Sequence, residues 1–271
     1  MPGRSRALVL CYHAVSDSWD DELAVTPGAF ERQLGALLRW GYRPRAAVEA
    51  IDGAGRLLHV TFDDAYKNVV QALPALERLR VPATVFACAG YAEDGRPLAV
   101  PELALEAERH PNELATMTWD ELRALVERGV EIGSHTLTHS HLTELGDDEL
   151  DRELRESRER LEDRLHRRCR LLAYPYGDED GRVRAAARAA GYDAAFGLSP
   201  GGRPDRYALP RVGVWRKDGM LRLALKTSPA LRRAVARARS YLPVEQGPRR
   251  VPQDALRPPG SSDPPASAAA R

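Results

Sequence analysis

Residues 57–64 read LLHVTFDD, an apolar run that ends in two adjacent carboxylates, Asp63 and Asp64. A short apolar run that carries β-branched and aromatic residues is typical of a buried strand. In parallel α/β folds, reacting groups collect at the carboxyl ends of the strands. We therefore expect both carboxylates to lie in a functional site at that end of a sheet.

Similar apolar runs alternate with segments of helical periodicity, which is the pattern of an α/β protein with a mainly parallel sheet. The predicted strands are Leu8–Tyr12, Leu57–Phe62, Ala83–Ala87, 130–132, 171–174, 193–196 and 207–212. The predicted helices are 30–40, 69–79, 122–126, 148–164 and 182–190. Thr118 and Glu121 form a capping-box pattern before the third helix, with Gly129 at its end, whereas Pro74 counts against the second.

Composition excludes several classes of protein. The chain has 271 residues, of which 43% are hydrophobic and 29% charged, as in soluble globular proteins. Its net charge of +1 gives no electrostatic argument for binding nucleic acid. No run approaches the roughly 18 apolar residues of a membrane span. The three cysteines are odd in number and lack CxxC spacing, which favours neither a disulfide framework nor a zinc knuckle. Two of them lie inside apolar runs, and we expect those two to be buried thiols.

The two ends of the chain differ in character from its middle. The N-terminal apolar stretch is short and lacks a small-residue cleavage site, so we expect no export signal and a cytoplasmic location. We predict a catalytic domain over 1–225. A basic helix (232–241) and a Pro/Gly/Ser/Ala-rich disordered tail are predicted within 226–271. That basic stretch offers peripheral contact with anionic lipid, although a solvated helix is the favoured interpretation.

A second motif, SHTLTH at 134–139, follows another strand-like run and contains His135 and His139. Asp64, His135 and His139 supply one oxygen and two nitrogen ligands, a set that suits zinc or cobalt and leaves positions open. The same set suits iron(II), so ligand type alone does not select the metal. Asp63 is then free to act as a base toward water that the ion activates.

Three stretches carry a family resemblance: TFDDAY at 61–66, SHTLTH at 134–139 and AYPYG at 173–177. They resemble the first three motifs of the polysaccharide deacetylases, the family 4 carbohydrate esterases that are also called the NodB homology domain. The likeness extends from about residue 6 to about residue 215. It implies a distorted (β/α)7-type barrel that hydrolyses the N-acetyl group of an amino sugar and releases acetate.

The resemblance also implies roles for single residues. Asp63 would be the general base, and Asp64, His135 and His139 would bind the metal. The backbone amide of Tyr176 would stabilise the oxyanion of the tetrahedral intermediate.

The chain departs from the family pattern in its general acid. The family's usual acid is a histidine in a C-terminal Leu-x-His motif, but no histidine follows His166. The segment LCYH at 10–13 resembles a permuted branch, typified by poly-N-acetylglucosamine deacetylases, which makes His13 the candidate acid. Arg211, in LPR at 209–211, is the candidate to orient Asp63, with Arg170 as the alternative.

Several alternatives stay open at this point. An N-acetylated glycan is the expected substrate, and a missing export signal favours a lipid-linked or small sugar over a wall polymer. The same site could serve O-deacetylation or hold iron, and a non-catalytic carbohydrate-binding barrel is the rival outside enzymes. His141 is expected to be exposed rather than a ligand. Tyr66 and Trp215 are either sugar-pocket walls or core residues.

Overall fold

The computed structural model of the protein describes residues 7–98, 100–198, 205–232 and 234, all within one compact unit. The strands are β1 (Leu8–Tyr12), β2 (Ala14–Val15), β3 (Ala24–Val25), β4 (Arg43–Pro44), β5 (Leu57–Phe62), β6 (Ala83–Ala87), β7 (Glu131–Ser134), β8 (Leu171–Ala173), β9 (Ala194–Gly197), β10 (Leu209–Pro210) and β11 (Val212–Gly213). The main sheet has the order β10-β9-β8-β7-β6-β5-β1-β11, with β4 beside β5, and its pairs are parallel. Strands β2 and β3 pair separately.

One short segment joins the two edges of this sheet. β10 pairs with β9 and β11 pairs with β1, and only Arg211 lies between them. The sheet is therefore nearly closed, with six strands and the β10–β11 segment around the barrel. This confirms the predicted fold class, a distorted (β/α)7-type barrel.

The single strand predicted over 207–212 is wrong, because the chain changes partner within it. Pro210 has no backbone N–H, so it cannot donate a hydrogen bond to a neighbouring strand. The Arg211 amide still donates to the Gly197 carbonyl at 3.2 Å, whereas Val212 already lies opposite Leu10 of β1. The change of partner takes place at Arg211, which the closure of the barrel holds in place.

The helices are α1 (Pro27–Arg39), α2 (Ala47–Asp52), α3 (Leu73–Leu79), α4 (Ala104–Arg109), α5 (Trp119–Glu127), α6 (Asp147–Leu165), α7 (Gly181–Ala189) and α8 (Met220–Thr227). The capping box of α5 is confirmed: the Thr118 side chain accepts from the Glu121 amide, and Glu121 accepts from the Thr118 amide at 2.7 Å. A continuous helix over 69–79 is wrong. Residues 67–72 form a 3₁₀ turn and α3 begins at Leu73, because a longer α-helix would place Pro74 in its interior.

Alternation along the strands divides the core into two layers. Leu58, Val60 and Phe62 of β5 pack in the large cluster that includes residues of α1 and α3. The opposite face of the sheet carries a smaller cluster with Phe86 and Phe196. Because residues two apart share a face of a strand, His59, Thr61 and Asp63 point toward this inner side. Asp63 thus continues the inner row beyond the end of β5.

The C-terminal predictions meet the structure only in part. The predicted domain boundary after residue 225 falls inside α8. Most of the predicted basic helix over 232–241, and the tail after it, lie outside the described residues. All three cysteines are free and buried, which confirms the burial predicted for the two in apolar runs. Among the described residues, no helix combines the length and apolarity needed to cross a bilayer.

Candidate active site

Asp64, His135 and His139 meet at the carboxyl end of the barrel. Asp64 follows β5 and His135 follows β7, so parallel pairing brings the two loops to the same end. The Nε2 atoms of His135 and His139 lie 3.4 and 3.3 Å from Oδ1 of Asp64. All three side chains are buried. The structure therefore brings the predicted ligand set together in one cluster.

The hydrogen bonds of this cluster fit a divalent cation. Nδ1 of His135 donates to the Ala173 carbonyl at 2.8 Å, so Nε2 carries the lone pair that faces Asp64. Oδ1 of Asp64 is buried and has no hydrogen-bond partner in the described part of the chain. An unsatisfied buried carboxylate oxygen is costly, and a cation among the three atoms would satisfy it. One oxygen and two nitrogens suit zinc or cobalt.

Burial and charge set the protonation of the two histidines in opposite directions. Burial lowers the pKa of His135 to about 4, so this ring is neutral near pH 7 and available as a ligand. Burial would also lower the pKa of His139, but the adjacent Asp64 carboxylate raises it above its ordinary value. A bound cation would replace that proton, because a ligating histidine must be neutral.

The loop with both histidines is held by a carboxylate that the sequence analysis missed. Glu153 of α6 is only 4% exposed. It accepts from the amides of Leu137 and Thr138, both at 2.9 Å, and from the Thr138 hydroxyl at 2.6 Å. Within the loop, the Thr136 hydroxyl accepts from the His139 amide at 3.1 Å. Glu153 therefore positions the turn between the two histidines.

A sequence signal for Glu153 exists. The leucines at 150, 154, 161 and 165 define the buried stripe of α6, and a helical period places 153 and 157 on that stripe. An acid on an apolar stripe needs buried donors. Ser157, also buried, lies 2.9 Å from the Ser134 hydroxyl, which accepts from the Thr136 amide at 3.1 Å. Two polar positions of α6 thus contact the same loop.

Asp63 and Arg211 form a buried pair. The Arg211 guanidinium donates to the two carboxylate oxygens at 2.6 and 2.8 Å. Arg170, the alternative partner, instead donates to Asp193 at 2.7 Å. Burial would raise the pKa of Asp63, but the Arg211 charge, with His135, lowers it below its ordinary value. Asp63 is therefore ionised at neutral pH.

Strand β1 and the residue that follows it place two further side chains beside Asp63. Cys11, which the sequence analysis treated only as a buried thiol, donates from Sγ to Oδ2 of Asp63 at 3.3 Å. Ligand atoms of Cys11, His13 and Asp63 lie within 4.8 Å of one another. The His13 ring stacks on Trp215, with centroids 5.2 Å apart, and its buried Nδ1 has no partner among the described residues. His13 thus lies beside Asp63 with a ring nitrogen unused.

The two aromatic candidates for a pocket wall, Tyr66 and Trp215, lie in different surroundings. Tyr66 is fully buried and packs edge-on against Trp19, with ring centroids 6.2 Å apart, so it belongs to the core. Trp215 is partly buried and flanks His13. Trp215 therefore flanks the site beside His13, whereas Tyr66 is a core residue whose side chain lies near Asp64.

Tyr176 lies in a turn with unusual backbone geometry next to the ligand cluster. Its φ of 59° and ψ of −1° are left-handed. The following amides, of Gly177 and Asp178, donate to backbone carbonyls, whereas the Tyr176 amide has no backbone acceptor in the described part of the chain. The ring contacts His139, with centroids 4.7 Å apart. The amide thus lacks a backbone acceptor among the described residues, in a turn whose side chain contacts the cluster.

His141 lies outside the ligand cluster. Its ring stacks on Tyr176 at a centroid distance of 3.7 Å, and its nitrogens lie 3.2 Å from Asp178 and 3.4 Å from Glu102. The Tyr176 hydroxyl also donates to Glu102, at 2.9 Å. His141 is partly exposed, and its contacts are with this outer group rather than with Asp64.

Comparison with known proteins places these features in a family. Residues 51–195 match the sequence model of the family described as polysaccharide deacetylase. YxkH of Bacillus subtilis (strain 168), which is named for the same activity, is 25% identical over 217 residues, covering 76% of this chain and 70% of its own.

Solved structures agree on the fold. BA0330 of Bacillus anthracis, assigned to the polysaccharide deacetylases, has a TM-score of 0.65 and 25% identity, covering 82% of this chain and 69% of its own. The Streptococcus pyogenes deacetylase PplD, solved with acetate, has a TM-score of 0.69 at 20% identity, covering 84% and 100%. IcaB of Ammonifex degensii has a TM-score of 0.64 at 24% identity, covering 85% and 97%. At these lower identities the last two show the fold alone.

Proposed function

The chain belongs to the polysaccharide deacetylase family, and from that premise we propose that it hydrolyses the acetyl amide of an N-acetylated sugar with a divalent metal ion. One observation carries the proposal: a buried Asp64–His135–His139 cluster lies next to a second aspartate that Arg211 keeps ionised. Three ligands beside a free base are what metal-assisted hydrolysis requires.

Asp64, His135 and His139 would hold the ion. When bound, a zinc or cobalt ion would polarise the acetyl carbonyl and make water more acidic. This assignment is supported by the neutral state of His135 at pH 7 and by the buried Oδ1 of Asp64, which has no hydrogen-bond partner among the described residues.

Asp63 is the proposed general base. It takes a proton from the water whose oxygen attacks the acetyl carbon. Arg211 occupies both carboxylate oxygens from one side, which fixes the carboxylate plane and leaves further lone pairs for the proton. The Tyr176 amide would donate to the oxyanion as the carbonyl becomes tetrahedral.

His13 is the proposed general acid. As the C–N bond breaks, it gives a proton to the departing sugar nitrogen, so the products are acetate and a free amine. Its place beside Asp63 and its packing on Trp215 support this assignment.

For the substrate we propose a lipid-linked or small N-acetylated sugar, and for the location the cytoplasm, on sequence grounds alone. Cell fractionation tests the location, because recovery only from the medium or cell envelope would contradict it.

The function is tested by acetate release. Purified protein with zinc or cobalt is offered N-acetylhexosamine glycosides, lipid-linked sugars, chitin oligomers and O-acetylated glycans under anaerobic conditions. We expect release from at least one N-acetylated substrate by the wild type, and none by His135→Ala. Release only from O-acetylated glycans, or no release from any, would overturn the proposal. Anaerobic turnover also excludes oxygenase chemistry by an iron-loaded site.

A further inference from the structure

Exposed apolar side chains concentrate in one short stretch of the chain. Among the described residues, the large exposed apolar side chains are Trp40, Val70, Leu105, Met220, Leu221, Leu225 and Leu231. Four of these seven lie between residues 220 and 231, in and just after α8. Scattered single leucines on a surface need no explanation, but such a concentration marks an interaction site.

Helix α8 has apolar side chains on both faces. Leu223 and Thr227 are buried against the barrel. Leu221 is 77% exposed and Leu225 is 53% exposed, and a spacing of four residues places them on one outward face. The neighbouring Arg222 is about 53% exposed and pairs with Asp218, at the edge of that face. The outward face therefore presents two leucines, with a cation at its edge.

The sequence around this helix is strongly basic. Residues 219–244 contain six lysines and arginines and no aspartate or glutamate, although the whole chain has a net charge of only +1. An anionic lipid surface attracts such a segment, by about fivefold in affinity for each cation near it. Apolar residues among cations on a short helix are typical of segments that lie in the membrane interface.

Helix α8 is attached to the active-site end of the barrel. Buried Asp218 accepts from the Trp215 amide at 2.9 Å and pairs with Lys226 of α8. Lys226 also donates to the carbonyl of Gly213 in β11, at 3.1 Å. Trp215 in turn stacks on His13. A surface bound by α8 is therefore linked through few contacts to the candidate site.

We propose that the outward face of α8 docks on an anionic lipid surface, with Leu221 and Leu225 in the interface. The docking goes beyond the proposed reaction and does not depend on it. A second copy of the chain fits less well, because a two-fold contact would bring two basic segments together. Residues 245–271 offer only Val251 and Leu256 as large apolar side chains to cover the face.

Vesicle flotation of the full chain tests the docking without using catalysis. We expect binding to vesicles of phosphatidylcholine mixed with phosphatidylglycerol, weaker binding to phosphatidylcholine alone, and loss of binding as salt rises. The double change Leu221→Ser with Leu225→Ser should reduce the partition coefficient about tenfold or more. Both leucines are exposed, so the thermal unfolding midpoint should stay unchanged.

Leu105→Ser is the matched control, because Leu105 is 67% exposed at a distant place on the chain and should not affect binding. The proposal is overturned if the wild type does not float with the mixed vesicles at low salt. It is also overturned if the double serine variant floats like the wild type, or if the leucines instead hold a dimer that light scattering detects. Acetate release from a soluble substrate, measured separately, reports on the proposed function alone.

Discussion

Arg211 donates two hydrogen bonds to Asp63, at 2.6 and 2.8 Å, from a position 148 residues further along the chain. Because Arg211 is also the one residue between β10 and β11, the segment that joins the sheet edges also positions the candidate base. Closure of the barrel and assembly of the site are therefore parts of one arrangement.

Replacing Arg211 by methionine should destabilise the fold and weaken the site together. Asp63 would remain as a buried charge without its partner, at a cost of about 3–5 kcal/mol in the free energy of unfolding. Urea unfolding of metal-free protein at neutral pH measures this cost. Arg170→Met is the control, since Arg170 is about 40% exposed and its pair with Asp193 contributes at most about 1 kcal/mol. Equal costs for the two variants would contradict the account.

Replacing Glu153 by glutamine should weaken metal binding without touching a proposed ligand. The carboxylate accepts three hydrogen bonds from Leu137 and Thr138, and a neutral amide would accept them more weakly and present an NH₂ group to donors. We expect the dissociation constant for cobalt to rise about 10–100-fold, followed by the cobalt absorption spectrum. Glu149→Gln, an exposed change on the same helix, should leave it unchanged. An unaltered cobalt affinity in Glu153→Gln would show that the loop holds its shape without this contact.

The sequence predicts most of the barrel because each central strand is a short apolar run that polar or turn-forming residues bound at its ends. It also predicts the candidate ligand set, because the Asp63–Asp64 pair and His135 come at the ends of two such strands. It does not predict the split at Arg211, since the partner of a two-residue strand depends on where distant edges meet. Glu153 was missed for a related reason, as its importance arises from the donors of a loop sixteen residues earlier.

The pH dependence of stability should carry a contribution from His59. This ring lies inside the barrel, with Nδ1 2.9 Å from the Arg45 carbonyl and Nε2 2.9 Å from the Thr84 hydroxyl. Burial lowers the pKa of His59 to about 4, whereas its ordinary value is about 6.5. Between those two pH values the unfolded chain binds a proton at His59 and the folded chain does not. The free energy of unfolding therefore falls as the pH falls through this window.

Urea unfolding of metal-free protein from pH 7 to pH 4 measures that slope. His59→Gln should lose less stability across the window than the wild type, by up to about 3 kcal/mol. Contributions from other groups, such as His135, cancel in the difference. The exposed change His110→Gln should retain the wild-type slope, and a His59→Gln slope equal to the wild type would remove this assignment.

Replacing His13 by alanine should remove the general acid and leave the ligand cluster intact. A positioned acid contributes roughly 10²–10⁴-fold to the rate, so acetate release should fall by that factor. Cobalt affinity should not change, because His13 is not in the Asp64 cluster. His141→Ala, which alters a partly exposed histidine outside that cluster, is the matched control and should reduce the rate less. Full activity in His13→Ala would show that another group is the general acid.

The two adjacent aspartates have different proposed roles: Asp64 binds the metal, and Asp63 accepts the proton. The most direct test measures bound zinc per chain and acetate release on the same samples of Asp63→Asn and Asp64→Asn. We expect Asp63→Asn to keep its zinc but release no acetate, and Asp64→Asn to lose most of both. Full zinc binding by Asp64→Asn, or wild-type acetate release by Asp63→Asn, would contradict these roles.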